Sequence, residues 1–356
     1  MYTLFSVPAA DQTLGRVLAS AFLLALFWQQ YAFLGHDLCH NGVTGERSFD
    51  YGWSRSSGNV LMGISSGWWK VRAPLARPAA FLARSPPSSP PPLQRSHNQH
   101  HVVCNSIEHD CDIQHLPFLA VSERYFASPF SYFHEHQLSF DFFAKFLVRF
   151  QHILYFPIMS LARVNLYVQS LLHLTTRRYA VENRWQELAG LAGFFLWYTL
   201  CVLYLPTAGL RVAFILGSHM PAGILHVQIV LSHFSMGVYS GVSYTDNEYD
   251  GFPQTQLATS MDIESTPLNS WFHGGLQYQV EHHMFPRLPR HNLKYIKPWV
   301  RDFAKKHKLV YRSLGFFEAN AEVIGHLKKV ASHIDEPDAD VNASLCFLKD
   351  AVNAQG

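Results

Sequence analysis

Three short histidine clusters constrain this chain more than any other feature: His36-Asp37-Leu38-Cys39-His40, His97-Asn98-Gln99-His100-His101 and Gln279-Val280-Glu281-His282-His283. In the first, the histidines are i and i+4. In the second they are i, i+3 and i+4, and Gln279, His282 and His283 repeat that spacing in the third. Residues three and four apart share one face of a helix, so each cluster presents two or three side chains to one point. Imidazole suits iron, zinc, copper and nickel. Seven histidines and a glutamine exceed the coordination number of one ion, so the count points to two metals. Among 21 histidines a single His-x3-His pair is more often surface or core than ligand. Three clusters at matching spacings, beside long apolar segments, are read as metal binding. A zinc hydrolase would bind one ion and leave most of these histidines unexplained.

The rest of the chain says where such a site sits. Charged residues make up 15% of it, against about 25% in soluble domains, and 48% is hydrophobic. That balance points to a membrane. A net charge of +2, with no basic patch interleaved with aromatics, gives no reason to expect a nucleic-acid partner. Residues 14–34 are mostly apolar, broken by Arg16, Gln29 and Gln30, and are long enough to cross a bilayer. They do not read as a signal peptide, because no basic residue precedes Arg16 and no small-residue cleavage site follows.

Residues 188–205 and 210–234, separated by Pro206-Thr207-Ala208-Gly209, read as a hairpin that crosses the membrane twice. Arg177, Arg178 and Arg184 precede it, and Lys294, Lys297, Arg301, Lys305 and Lys306 lie beyond it. The positive-inside rule places those ends in the cytosol; with the first span also ending there, all three clusters face one side and can meet. Residues 146–174 mix apolar residues with Arg149, His152, Arg163 and Asn165, which suggests an amphipathic helix lying on the membrane. The expected fold is an all-α integral membrane protein, with transmembrane helices under a cytosolic helical cap that carries the histidines. The five cysteines form no Cys-x2-Cys pair, so no zinc ribbon or redox dithiol is expected. Cys39, pointing away from the His36 and His40 face, reads as packing.

Residues 1–335 are expected to form one membrane domain and residues 336–356 a polar tail. Residues 71–94 stand apart: they are rich in Pro, Ala and Ser and contain no Asp or Glu. Val71-Arg72 can be encoded across a splice donor, and a Ser/Pro/Leu run closing on Gln94 can encode a pyrimidine tract followed by CAG. A retained intron is expected here; a disordered loop is the alternative.

With that segment set aside, Trp68-Trp69-Lys70 runs into Arg95-Ser96-His97-Asn98-Gln99-His100-His101, and the chain resembles the membrane front-end desaturases. Glutamine at the head of the third cluster is that group's mark. The resemblance extends from about residue 18 to residue 330 and is greatest to the sphingolipid Δ8 (long-chain-base) desaturases. Supporting stretches include Leu231-Ser232-His233-Phe234 and Pro286-Arg287-Leu288-Pro289-Arg290-His291-Asn292-Leu293.

The resemblance implies a di-iron site held by His36, His40, His97, His100, His101, His282 and His283, with Gln279 as ligand or as donor behind one. One more ligand is expected from the last membrane helix, His233 at its end or His226 deeper in. Asp37, Glu108, Asp110 and Glu281 are candidate acceptors behind the imidazoles. Trp68, Trp69 and residues 125–146 are candidate walls of a substrate path, although residue by residue the interfacial-anchor reading is favoured. His109, His115, His134, His136 and His152 are expected to be structural or surface residues.

The implied activity is O2-dependent desaturation of a membrane lipid, ceramide or acyl lipid, in the endoplasmic reticulum membrane with the histidines facing the cytosol. Its cofactors would be two iron ions, with electrons from the haem of cytochrome b5 and its NADH-dependent reductase. The His-Pro-Gly-Gly haem motif is absent from these residues, so the cytochrome is expected in trans or from a preceding domain, and truncation at the N-terminus is the favoured expectation. The rival readings are a front-end acyl desaturase (Δ5, Δ6 or Δ8), a hydroxylase, and a non-catalytic membrane protein from a mis-spliced gene.

Overall fold

The computed structural model describes residues 2–69, 96–176, 181, 183–241, 251–267 and 269–334. The segment 71–94, the tail 336–356 and Arg177 and Arg178 lie outside that set. Helices dominate. The first long one, α1 (Leu14–Cys39), begins at Thr13, whose side chain accepts the Arg16 amide, and carries the first histidine cluster in its last turn and C-cap. The second cluster lies on α2 (Ser96–Val103). Then come α3 (Phe142–Arg149), α4 (Gln151–Thr175), α5 (Arg184–Tyr204), α6 (Ala208–Ala222) and α7 (Ile224–Leu231). The third cluster forms α8 (Gln279–Met284), followed by α9 (Arg290–Lys306) and α10 (Phe316–Ala331).

Among the described residues, three segments are long and apolar enough to cross a membrane: α1, α5, and α6 with α7. Each turns apolar side chains both inward and outward. On α1, Val17, Ala21, Leu24 and Trp28 are buried while Leu18, Phe22 and Phe27 are exposed. A helix apolar all round suits a site between protein and lipid. The segments alternate in direction, α5 running antiparallel to α1 and to α6 with α7. Tyr204, at the end of α5, donates to the Val7 carbonyl at 2.7 Å and packs on Phe5, so that end lies beside the start of α1. The histidines lie at the other end.

The last span differs from the expected uninterrupted helix over residues 210–234. It breaks at Gly223, next to Pro221, whose ring supplies no amide for the ladder. At Gly223 α4 comes close: a Cβ there would lie 2.5 Å from Ser160 Cα and 2.6 Å from the Met159 carbonyl oxygen. The helix ends at Leu231 because Asn105 Nδ2 captures the His233 carbonyl at 3.0 Å. His233 therefore sits in a turn, not on a helix face shared with His226.

The stretch 146–174 forms parts of two helices, α3 and α4, meeting at Phe150. The start of α4 is tied to the cap through Gln151, which donates to the Ala120 and Leu327 carbonyls at 3.1 and 2.8 Å. Its far end is held by Arg184, which donates to the Leu174 and Thr176 carbonyls. Between them, Arg163 is 1% exposed. Its guanidinium lies 3.8 Å from the Trp28 ring centroid and donates to the Met62 carbonyl and Tyr167 hydroxyl at 2.7 and 2.8 Å. A buried cation is tolerated only when satisfied in this way. The cap closes with a parallel pairing of Asp262–Glu264 and Ser313–Gly315.

Candidate metal centre

Glutamines fix the clusters against one another. Gln29 Nε2 on α1 donates to Gln228 Oε1 on α7 at 2.8 Å, and both amides also donate to the Phe272 carbonyl, at 3.1 and 2.9 Å. Gln30 reaches the Trp271 carbonyl at 3.2 Å. The polar residues that interrupt the first apolar segment thus set the height of α1 against α7 and against the stretch leading to α8.

All nine residues singled out in the sequence converge, in two groups. His36, His40, His97, His101 and His282 bring ligand atoms within 4.8 Å of one another. His97 Nε2 is 3.1 Å from His36 Nε2 and 3.1 Å from His101 Nε2. The second group joins His100, His233 and His283, with Gln279 Nε2 at 3.0 Å from His233 Nε2 and 3.4 Å from His283 Nε2. The rings of His101 and His283, with centroids 4.4 Å apart, link the groups. His226 is buried but belongs to neither. Cys104 Sγ approaches His233 at 3.5 Å, yet on Nδ1, away from the nitrogen that faces Gln279.

The outer nitrogens are held from behind. His100 Nδ1 bonds Asp110 Oδ2 at 2.8 Å and His97 Nδ1 bonds Asp112 Oδ2 at 3.2 Å. His283 Nδ1 donates to Gln256 Oε1 at 2.9 Å and His233 Nδ1 to the Thr259 carbonyl at 3.2 Å. Anchoring Nδ1 fixes the tautomer and leaves Nε2 as the inward lone pair. Of the four acids expected behind the imidazoles, Asp110 serves fully, and Asp37 lies 3.7 Å from His36 Nδ1 while pairing with Arg290 Nε at 3.1 Å. Glu108 instead accepts the Gly241 amide, and Glu281 accepts the Tyr311 hydroxyl. Both are turned from the imidazoles by a backbone or phenol donor closer to hand. Asp112, Gln256 and Thr259 were not anticipated. The Asp110-x-Asp112 doublet was the one available signal; the other two come from a distant helix.

Burial holds His97, His101, His282 and His283 well below the usual imidazole range, with neighbouring imidazoles adding to the effect. Burial also lowers His100, but the Asp110 and Asp112 carboxylates outweigh it and push it up to about 9. Burial and the nearby Asp262 raise Glu281 to about 8. Neutral, converging imidazoles such as His97, His101, His282 and His283 are what a divalent metal binds. Two further atoms fit the same use: His282 Nε2 and Gln279 Oε1 are buried with no hydrogen-bond partner, a costly state unless something else binds them. The donor set of eight histidines and a glutamine therefore suits two transition-metal ions.

A cavity opens beside this centre. Its roof includes His36, His97, His100, His233 and Gln279, one wall is α1 from Tyr31 to Cys39, and the other is formed by Ser54, Gly58 and Met62. Residues 125–146, candidate walls of the path, contribute nothing to it; Tyr125 is packed in the cap core. Trp68 and Trp69 end a short helix, Ser66–Trp69, but their side chains lie outside the described set. Cys39 is buried as packing, with Sγ 3.4 Å from Ser54 Oγ, but it does not turn away from His36: both line the cavity, as residues three apart on one helix can.

Residues 75–315 match the family model described as fatty acid desaturase. The chain is 40% identical over 339 residues to Delta(8)-fatty-acid desaturase 2 of Arabidopsis thaliana, covering 95% of this chain and 69% of that one. It is 39% identical over 314 residues to the acyl-lipid (9-3)-desaturase of Borago officinalis, covering 88% and 64%. To the Delta 8-(E)-sphingolipid desaturase of Emericella nidulans it is 37% identical over 342 residues, covering 94% and 57%. The chain thus spans about six to seven tenths of the length of these relatives. No solved structure matches it significantly. The chain belongs to the fatty acid desaturase family.

Proposed function

We propose that this protein is an O2-dependent desaturase that introduces a double bond at the Δ8 position of the long-chain base of sphingolipids. One observation carries the reading: two groups of inward-facing imidazoles roof an apolar cavity in a chain similar to Δ8 desaturases of plants and fungi. His36, His40, His97, His101 and His282 would hold one iron ion, and His100, His233 and His283, with Gln279, the second. Iron there supplies the O2-derived oxidising power that an unactivated methylene requires and that side-chain acid–base chemistry lacks.

The protein's own residues bind and orient. The cavity walls hold an aliphatic chain beneath the histidines and keep water from it. Asp110, Asp112, Gln256 and the Thr259 carbonyl keep the imidazoles at fixed angles. Overall the substrate loses two hydrogens from adjacent carbons. With two electrons and two protons from a donor, these reduce one O2 to two waters. The electrons would come from cytochrome b5 and its NADH-dependent reductase. The three spans would place the histidines on the cytosolic face of the endoplasmic reticulum membrane, with α3 and α4 lying against that face.

A second reading, front-end desaturation of an acyl lipid, is favoured by the 39% identity to the Borago enzyme. Incubation of the iron-loaded protein with ceramide, cytochrome b5, its reductase, NADH and O2 tests the proposal. An alkene in the base, formed only with O2, supports it. A hydroxylated product or none would refute it.

A further inference from the structure

The cavity is apolar along Met62, Ile64, Leu166, Leu225 and Ile229, as any aliphatic chain would require, but hydroxyl groups interrupt it at one place. Ser54 and Ser66 both line it, are 3% and 6% exposed, and hold their Oγ atoms 2.9 Å apart. Ser54 Oγ also lies 3.4 Å from Cys39 Sγ. Cys39 follows His36 by three residues on α1, so their Cβ atoms are about 5–6 Å apart. The hydroxyl pair therefore stands close to the roof, at the level where the chain is oxidised.

Other polar groups of the wall are already committed: the Tyr31 hydroxyl to Ser57 and the Ser65 hydroxyl to the buried Glu187 carboxylate. Two serine hydroxyls carry two donors and four acceptor lone pairs. Their mutual bond uses one of each, and the sulfur of Cys39 is a weak partner. A methylene chain leaves the remaining capacity unused in a buried wall, which costs free energy. A chain bearing a hydroxyl fills it.

The pair is also held rigidly. Ser54 begins a π-helical turn, Ser54–Gly58, an irregularity common at functional sites. The loop carrying Ser66 is anchored by Asn59 Oδ1 on the Ser66 amide at 3.3 Å, Ser170 Oγ on the Ser65 amide at 2.9 Å and Glu187 on the Gly67 amide at 3.1 Å. Such support fixes hydroxyls where a ligand can use them.

We propose that Ser54 and Ser66 form the specificity station of this cavity, bonding a substrate hydroxyl near the oxidised carbons and so selecting a hydroxylated long-chain base over a plain acyl chain. This rests on the desaturase reading of the site and names the substrate feature it recognises.

The test compares wild type with Ser54→Ala/Ser66→Ala, each supplied with cytochrome b5, on a ceramide and on its matched deoxy analogue lacking the base hydroxyl nearest the reacting carbons. Wild type is expected to favour the hydroxylated substrate about tenfold in kcat/KM, and the double variant's ratio to fall to near one. Iron per chain at the wild-type value confirms an intact fold. Without turnover, the extra thermal stabilisation of wild type by the hydroxylated over the deoxy ligand disappears in the variant. If the double variant does not accumulate, Ser54→Ala alone carries the test, its ratio falling in the same direction. An unchanged ratio, or equal losses on both substrates, overturns the proposal. Wild-type protein that oxidises acyl lipids but no ceramide overturns the underlying reading instead, which the alanine variants do not address.

Discussion

His36 and His97, 61 residues apart in sequence, face each other Nε2 to Nε2 at 3.1 Å. Neither ring offers the other more than one bond, and both are crowded by His40, with ring centroids 4.6 and 5.0 Å away. Such a contact between two ring nitrogens makes sense around a shared metal. The two groups then behave as separable sites. His40→Ala should reduce iron from about two ions per chain to about one, and His283→Ala should do the same at the other site; each should abolish turnover. Elemental analysis of the purified variants checks this, and two ions retained in either variant would be contrary to the assignment.

Asp110 serves His100 Nδ1, the Asn105 amide and the Asp112 amide at once, at 2.8, 2.7 and 2.9 Å. Asp110→Asn keeps the shape but replaces an acceptor with a donor. Iron affinity is expected to fall about 10- to 100-fold, as when other partners behind metal-bound histidines are removed. Titration with a competing chelator measures it, and unaltered affinity would remove Asp110 from the account.

The Gln29–Gln228 pair links α1 to α7. Replacing either alone by Leu leaves the other amide nitrogen with only the Phe272 carbonyl, while replacing both removes the two amides together and strips that carbonyl of both donors. A double-variant cycle on thermal stability should show a coupling of about 0.5–2 kcal/mol. Strict additivity would show that the two helices are set by packing alone.

Gly223 has no room for a side chain, since the obstacle is the backbone of Ser160 and Met159. Gly223→Ala is expected to destabilise by about 1–3 kcal/mol and to lower the thermal midpoint. An undisturbed midpoint would mean that α4 yields there.

Much of this was legible in the residues. Helical spacing within each cluster, and a charge pattern that puts the three clusters on one side of the membrane, allowed His36, His40, His97, His100, His101, Gln279, His282 and His283 to meet, and they do. What could not be read was contact between distant segments. Gln256 behind His283, and Asn105 ending α7 beneath His233, are polar residues with no periodic signature, placed only when the cap folds over the helices. The break at Gly223 had a visible cause in Pro221, yet the apolar run across it concealed the interruption. Glu108 and Glu281 lay beside histidines in sequence, but backbone and phenol donors claimed them. Adjacency in the chain does not decide which way a carboxylate turns.

The central claim is oxidation of a long-chain base beneath these histidines. Lipid mass spectrometry of yeast expressing the chain together with cytochrome b5, with His101→Ala as control, tests it most directly. The account predicts a Δ8 double bond in the base of ceramide, absent from the control. New double bonds confined to fatty acyl chains would contradict it.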